Sequence, residues 1–358
     1  RTLRQFAAFE AALGPSLQVP CTPELNPPLW ELGHLGWFAD WWLVRNTQRG
    51  LGTSAHPDAP RHPARQATRG LDADALYNSS AVAHGTRWHL VLPNADAVRA
   101  DLEASLRDTL ALLAQAEDTD DALYFFRLAL FHEDMHAEAA VFMAQTLGID
   151  PGDTPIAQPA PLGGNLSLPA GIVALGHGGP GFAFDNELGL HRVPVDAFEI
   201  DARAVRWSDY LPLVEAGGAA PPRHLRRASL GWEHHRFGRW QPLDLQAPVC
   251  HLSAHEAQAW CLWAGRRLPT EAEWTHAAHT QPGFAWGEVW EWTASAFAPY
   301  PGFVAHPYRD YSEPWFDGRP VLKGAGPGTA PRMRHPAYRN FFTAARTDIH
   351  AGFRTVAL

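Results

Sequence analysis

Apolar residues recur at helical spacing through the first half of the chain. Residues 29–45 carry an aromatic-rich periodic run. Asn26-Pro27-Pro28 opens it, which predicts Asn26 as the N-cap with a proline at the first helical position. Val98, Leu102, Leu106, Leu110 and Leu113 predict a second helix, started by Pro93-Asn94. A third spans residues 121–147 and stops at Gly148, a residue suited to a left-handed C-cap. With a short helix near residues 5–13 there are four, the number of a small bundle. Residues 50–86 form a long polar connection, whose length points to function or substrate contact rather than packing.

The pattern changes after a stretch rich in Pro, Gly and Ala at residues 151–170, which reads as a linker. Beyond it the apolar segments are short, aromatic and interrupted by glycine, with irregular runs such as residues 300–320. This predicts a compact α+β domain with few long elements. The expected organisation is a helical domain over 1–150, a linker over 151–170 and a second domain over 171–358, and a length of 358 residues suits two domains. Internal repeats and low-complexity runs are absent from the sequence.

Composition narrows the classes. A hydrophobic share of 46% is too high for a disordered chain. A net charge of −9 without a basic block excludes broad electrostatic binding of nucleic acid. Of 29 basic residues only Lys323 is a lysine, so the arginine excess reads as coding bias and says little about ligands. Cys21, Cys250 and Cys261 cannot make a disulfide framework or a Cys-x-x-Cys zinc ribbon, and they fit a reducing, cytoplasmic setting. No apolar run reaches the roughly 18 residues of a membrane span. The first residues carry no signal-like stretch, although the chain does not begin with Met. With 19 histidines and 3 cysteines, imidazole is the natural metal ligand.

His132 and His136 stand four apart in Phe131-His132-Glu133-Asp134-Met135-His136-Ala137-Glu138, within the third long helix, so both imidazoles project from one face and can share an ion. The alternative is a pair of polar residues on a solvated face. Read literally, His132-Glu133-x-x-His136 also matches a zinc-protease motif with Glu133 as general base. Such a site needs a further downstream ligand, yet no Glu occurs between Glu138 and Glu187. His34 is the leading third ligand. It sits in the apolar run Trp30-Glu31-Leu32-Gly33-His34-Leu35-Gly36-Trp37-Phe38, where an unpaired imidazole carries a desolvation cost. Its alternative is a core histidine bonded to a backbone carbonyl. Three neutral histidines suit Fe(II), Zn or Cu, and affinity does not choose among them.

Two patterns, Trp-x-Leu-Gly-His at Trp30 to His34 and His-x-x-x-His-x-Glu at His132 to Glu138, resemble the helical, DinB-like metal domain of the ergothioneine-biosynthesis sulfoxide synthases. The second half resembles the formylglycine-generating-enzyme fold, of the C-type-lectin-like kind. Its marks are Phe184-Asp185-Asn186-Glu187, Gly265-Arg266-Arg267-Leu268-Pro269-Thr270-Glu271-Ala272-Glu273-Trp274, Val289-Trp290-Glu291-Trp292-Thr293 and Gly352-Phe353-Arg354. The phrases occur in order over essentially the whole chain. The resemblance implies a four-helix bundle followed by a formylglycine-enzyme-like domain, with the active site where the two meet. It implies an O2-dependent, non-haem Fe(II) oxidoreductase that joins a chalcogen atom to the imidazole ring of hercynine, with His34, His132 and His136 as iron ligands. Formylglycine generation itself is not expected. That activity needs a C-terminal cysteine pair, and the last cysteine here is Cys261.

The same resemblance assigns further residues. Tyr308, in the segment from Tyr300 to Ser312, matches a tyrosine that donates a proton and steers the reaction toward bond formation. A phenol with an ordinary pKa of about 10 can do so at neutral pH. Tyr311 matches one that packs near the betaine. Arg339-Asn340-Phe341-Phe342 stands where the family usually has Arg-Asn-Trp-Asp. Asn340 is expected to contact the hercynine carboxylate, and Phe341 keeps an aromatic face for its trimethylammonium group. Phe342 replaces the Asp that fixes the amino-acid end of a thiol donor. Arg87 and Arg346 match arginines that bind an anionic or hydroxyl-rich donor. For the tyrosines and arginines, ordinary packing or solvation is the competing reading.

The short link from Gln281 to Gly287, Phe342 and the His-Glu-Asp-Met-His helix together resemble the selenoneine synthase branch, whose donor is a selenosugar. The expected reaction is C–Se bond formation between hercynine and a 1-seleno sugar, giving a selenoxide. The same-class alternative is a sulfoxide synthase using cysteine or γ-glutamylcysteine. The remoter alternatives are a zinc hydrolase and a non-catalytic small-molecule binder. No nucleic-acid or membrane partner is expected.

Overall fold

The computed structural model describes residues 1–63, 71–152 and 163–358. The linker read at 151–170 and the polar connection at 50–86 therefore lie partly outside the described residues. The chain divides into two compact units. The first holds Arg1–Gly152 together with Pro180–Phe182 and Ala305–Asp310.

In the first unit the four long helices are α1 (Thr2–Leu13), α2 (Pro28–Ala39), α4 (Ala95–Leu113) and α5 (Asp120–Leu147), with a one-turn α3 (Ala73–Tyr77) between α2 and α4. Helix ends follow local chemistry. Asn94 and Thr119 cap α4 and α5 by accepting from the backbone N–H groups of Ala97 and Ala122, and Gly148 closes α5 with a φ of 70°. The start of α2 differs from expectation. Pro28 does occupy the first turn, but the N-cap is Pro27, and the Asn26 side chain turns away to donate to Glu31 Oε1 at 2.6 Å. The end of α2 differs too, because the helix widens into a single π-turn, Asp40–Val44, before Arg45. The Arg45 guanidinium there is clamped by Asp74 at 2.7 and 3.0 Å, a tertiary contact that local periodicity does not encode.

Helix α2 is apolar nearly all round and packs on α4, α3, α5 and α1, as expected of a helix at the centre of its unit. Of α4 only Val98 and Ser105 are buried, and Leu106 and Leu110 stay more than half exposed. The two short segments from the second half of the sequence join this unit through aromatic contacts. Phe182 lies 4.7 Å from Phe131 between ring centroids, and the Tyr124 hydroxyl meets His306 Nδ1 at 3.1 Å.

The second unit takes up the other described residues. Its elements are β1 (Asn165–Leu168), β2 (Gly171–Leu175), β3 (His191–Val195), β4 (Phe198–Asp201), α6 (Trp207–Glu215), β5 (Leu225–Ala228), β6 (Gly231–Arg236), β7 (Arg239–Pro242), α7 (Ala254–Ala264), β8 (Arg266–Arg267), α8 (Glu271–Thr280), β9 (Trp290–Ala296), β10 (Pro320–Gly324), β11 (Asn340–Phe341), β12 (Ala351–Gly352) and β13 (Val356–Ala357). They form sheets ordered β1-β4-β13-β8 and β11-β10-β9-β12, a β2-β3 hairpin and a β5-β6-β7 meander. This is the α+β texture of short elements read from the sequence.

The motif residues of this half hold it together. Thr270 caps α8, Glu273 closes the capping box, and Arg267 grips Glu273 through two bonds of 2.6 and 2.8 Å. Arg354, fully buried, forks onto Glu291, which also accepts from Trp274 Nε1 at 2.7 Å. Lys323 and Arg339 converge on Glu271, which accepts from Tyr300 as well. Buried charges survive only when paired and hydrogen-bonded in this way.

Candidate metal centre

The first unit brings His34 of α2 together with His132 and His136 of α5. One ligating atom from each lies within 4.8 Å of the others, and among the described residues this is the only such group of three or more potential ligands. His34 and His132 are buried, and His136 is half-buried. His34 Nδ1–H donates to the Tyr77 carbonyl at 2.8 Å, which leaves the Nε2 lone pair facing His132 Nε2 at 3.3 Å. That spacing matches two nitrogens held about 2.1 Å from one ion, which stand roughly 3.0–3.4 Å apart. His136 Nδ1 donates to Glu31 Oε2 at 2.5 Å, so its Nε2 is again the free nitrogen. The His132 ring lies flat on Phe38, 3.5 Å between centroids and 4° between planes, and the His34 ring stacks on Trp30.

Electrostatics keep the first two ligands neutral. Burial, reinforced by the neighbouring His136, pushes the His34 pKa down to about 3. His132 is depressed well below the ordinary value by burial and by both other imidazoles. Ligation requires neutral imidazole, so the donor set fits a transition-metal ion. Burial by itself would raise the Glu31 carboxyl, but the facing His136, with His34 and Arg87, outweighs it and holds Glu31 at about 2. The carboxylate is therefore ionised. Glu138, the last residue of the helix motif, is buried outside the cluster. Glu133 is exposed and accepts from the Thr2 hydroxyl at 2.5 Å, which gives the zinc-hydrolase reading no base directed at an ion.

Beside His132 opens a cavity of about 200 Å³, and every residue lining it belongs to the first unit. Its walls include Trp37, Phe38, Trp41, Trp42 and Tyr308, and its polar rim includes Asp58, Asn78, Ser79, Ser80 and Asp310. Tyr308 lies 5.0 Å from Phe38 and 6.0 Å from His132 between ring centroids. Burial, with the Asp310 charge, pushes its phenol well above the ordinary range, so it holds its proton.

Arg87 stacks on Trp30 at 3.9 Å and donates to Asn26 Oδ1 at 2.8 Å. The remaining predicted residues lie in the second unit. Tyr311 shares a hydroxyl contact of 2.9 Å with Tyr338. Phe341 is buried with one face stacked on Phe297 at 4.1 Å. The Asn340 side-chain oxygen accepts from the Phe341 N–H, and half-buried Phe342 carries the Arg346 guanidinium 5.0 Å from its centroid. Arg346 is also bound by two bonds to buried Asp348. Sequence reasoning missed Glu31, Phe38 and Tyr77. Each acts through a partner distant along the chain, and no local signal marks it. Burial raises the thiols of Cys250 and Cys261 to about 12, the reverse of what thiolate chemistry needs.

A helical unit with a three-histidine centre beside an aromatic cavity has the makings of a metal-dependent oxygenase. Comparison with known proteins shows what the chain is similar to. Residues 153–288 match the sulfatase-modifying factor enzyme 1-like domain. The chain is 28% identical to the hercynine oxygenase of Mycolicibacterium smegmatis, across 99% of this chain and 95% of that protein. It is 27% identical to the hercynine oxygenase of Mycobacterium tuberculosis, across 93% and 91%. It is also 32% identical to the formylglycine-generating enzyme of Streptomyces coelicolor, across 39% of this chain and 54% of that one. These similarities support the ergothioneine-type sulfoxide synthase family, and they make the chain an oxidoreductase. No helix among the described residues is long and apolar enough to cross a membrane.

Proposed function

We propose that the chain is a non-haem Fe(II), O2-dependent selenoneine synthase, joining the imidazole of hercynine to the selenium of a 1-seleno sugar and releasing a selenoxide. The observation that carries the metal reading is the convergence of His34, His132 and His136 with two Nδ1 atoms already committed to acceptors. Full-length similarity to hercynine oxygenases supports hercynine as acceptor. Iron supplies the redox chemistry toward O2 that zinc lacks.

The chain's own residues then bind and orient. Residues 1–150, a DinB-like bundle in this reading, hold the metal, and the family resemblance assigns substrate contacts to Tyr311, Asn340, Phe341, Phe342 and Arg346. The aromatic cavity beside His132 is suited to a trimethylammonium group, because aromatic faces attract such a cation and Asp310 adds negative charge, while Asp58 on the same rim is paired with Arg309 at 3.5 Å. Tyr308, protonated at neutral pH, is the proton donor of this reading, and burial makes it a weaker acid than a free phenol.

Selenium is favoured over sulfur by Phe342. Its ring cannot make the charged contact that an Asp makes with the ammonium of γ-glutamylcysteine, whereas a seleno sugar carries no such ammonium. Arg346 and Arg87 are the donor-facing cations of this reading. A competition assay tests it. The Fe(II)-loaded protein is given hercynine, O2, selenoglucose, cysteine and γ-glutamylcysteine together, and the products are weighed by mass spectrometry. The C–Se product should predominate, and a C–S product from γ-glutamylcysteine in excess would overturn the choice of donor.

A further inference from the structure

We infer that Glu31 is the positioning residue of the histidine centre, and that Asn26 and Arg87 hold it in place. This rests on the reading of His34, His132 and His136 as metal ligands. The three imidazoles have unlike surroundings. The Nδ1–H of His34 meets a neutral carbonyl, His132 lies against the Phe38 ring, and only His136 donates to a carboxylate. An anionic acceptor on Nδ1 fixes the tautomer that leaves Nε2 for the metal and raises the basicity of that nitrogen. His136 is therefore the strongest electron donor of the three, and Glu31 makes it so.

Glu31 does not swing freely. Its second oxygen, Oε1, accepts from Asn26 Nδ2 at 2.6 Å, and Asn26 Oδ1 accepts in turn from Arg87 Nη1 at 2.8 Å. The Arg87 guanidinium lies 3.9 Å from the centroid of Trp30, whose ring stacks on His34 with 8° between planes. One arginine thus steadies two ligands, His136 through Asn26 and Glu31, and His34 through the indole. The sequence placed Arg87 among the donor-binding residues. The hydrogen bond and the stacking contact also tie it to the metal ligands.

The test is an anaerobic titration of the full chain with Co(II), followed by its visible d–d absorption. Glu31→Ala should weaken Co(II) binding by about 10- to 100-fold. Glu31→Gln keeps an oxygen acceptor without the charge, so it should lose less affinity and still shift the d–d bands. Glu31→Asp should partly restore binding, and Arg87→Met should cause a smaller loss than Glu31→Ala. Wild-type affinity and an unshifted spectrum in both Glu31→Gln and Glu31→Ala would overturn the inference. His136→Ala separates the two levels. If it binds Co(II) like the wild type, the three-histidine reading falls and this inference with it. If it loses Co(II) while the Glu31 variants do not, only the role of Glu31 falls.

Discussion

His34 shows how far one side chain can be read. Its place in an aromatic, apolar helix marked it as either a ligand or a satisfied core histidine, and the structure gives it both kinds of partner. Nδ1 bonds a carbonyl, as the bland reading requires, and Nε2 faces His132, as the metal reading requires. A core histidine needs only the first. We expect His34→Ala to reduce bound iron from near one per chain to near zero, measured by elemental analysis after anaerobic loading. Unchanged metal content would remove His34 from the ligand set. Glu31 was not legible in the same way. It occupies the unspecified position of Trp-x-Leu-Gly-His, and its partner His136 is 105 residues away.

Among elements, α2 and α3 show why the glycine of that motif matters. A Cβ on Gly33 would stand 2.2 to 2.7 Å from atoms of the Tyr77 phenol, hydroxyl included, so α3 can lie against α2 only because position 33 has no side chain. Tyr77 also supplies the carbonyl that fixes His34. Gly33→Ala should therefore destabilise the first unit by about 1–3 kcal/mol through overpacking, and it should weaken metal binding by moving that carbonyl. Thermal unfolding and Co(II) titration would show both effects. In a Tyr77→Ala background, itself destabilised by the lost phenol, Gly33→Ala should cost much less than in the wild type, and an undiminished cost there would sink the packing explanation. Helix α3 itself lies in the stretch read as a polar connection, because a five-residue helix leaves too little periodicity to see.

At the scale of the whole molecule, buried ionisable groups in the second unit set opposing limits of pH. Burial is the main cause of depression at His350, to about 3, and at His224 and His335, to about 4. Unfolded, these imidazoles take up protons as pH falls through about 6.5, while the folded ones do not, so stability is lost between about pH 6.5 and 4. Each such group contributes a slope of up to about 1.4 kcal/mol per pH unit. Glu187 works the other way. Burial raises it to about 8 despite the Phe184 N–H, Lys323 and Arg339, so its unfolded form ionises first and stability falls as pH rises from about 4.5 to 8. Urea midpoints should peak near pH 6, with His350→Asn flattening the acid limb and Glu187→Gln the alkaline one. A midpoint that rises steadily to pH 8 in the wild type would contradict the Glu187 assignment.

Local chemistry was enough for much of this protein. Helix positions, the caps at Asn94 and Gly148, the change to short aromatic segments and the His132/His136 pair all depend on neighbours a few residues apart, and periodicity and spacing record those directly. Tertiary structure alone decided the rest. It brought His34 to the α5 pair, gathered Phe182, His306 and Tyr308 into the helical unit, and drew Asn26 and Arg87 toward Glu31. In the second unit it turned the motif residues Glu271, Glu291 and Arg354 into buried ion networks. The physical reason is common to all of them. Burying a charge or an imidazole is costly without a partner, and the partner can come from anywhere in the chain, so its identity emerges only when the fold closes.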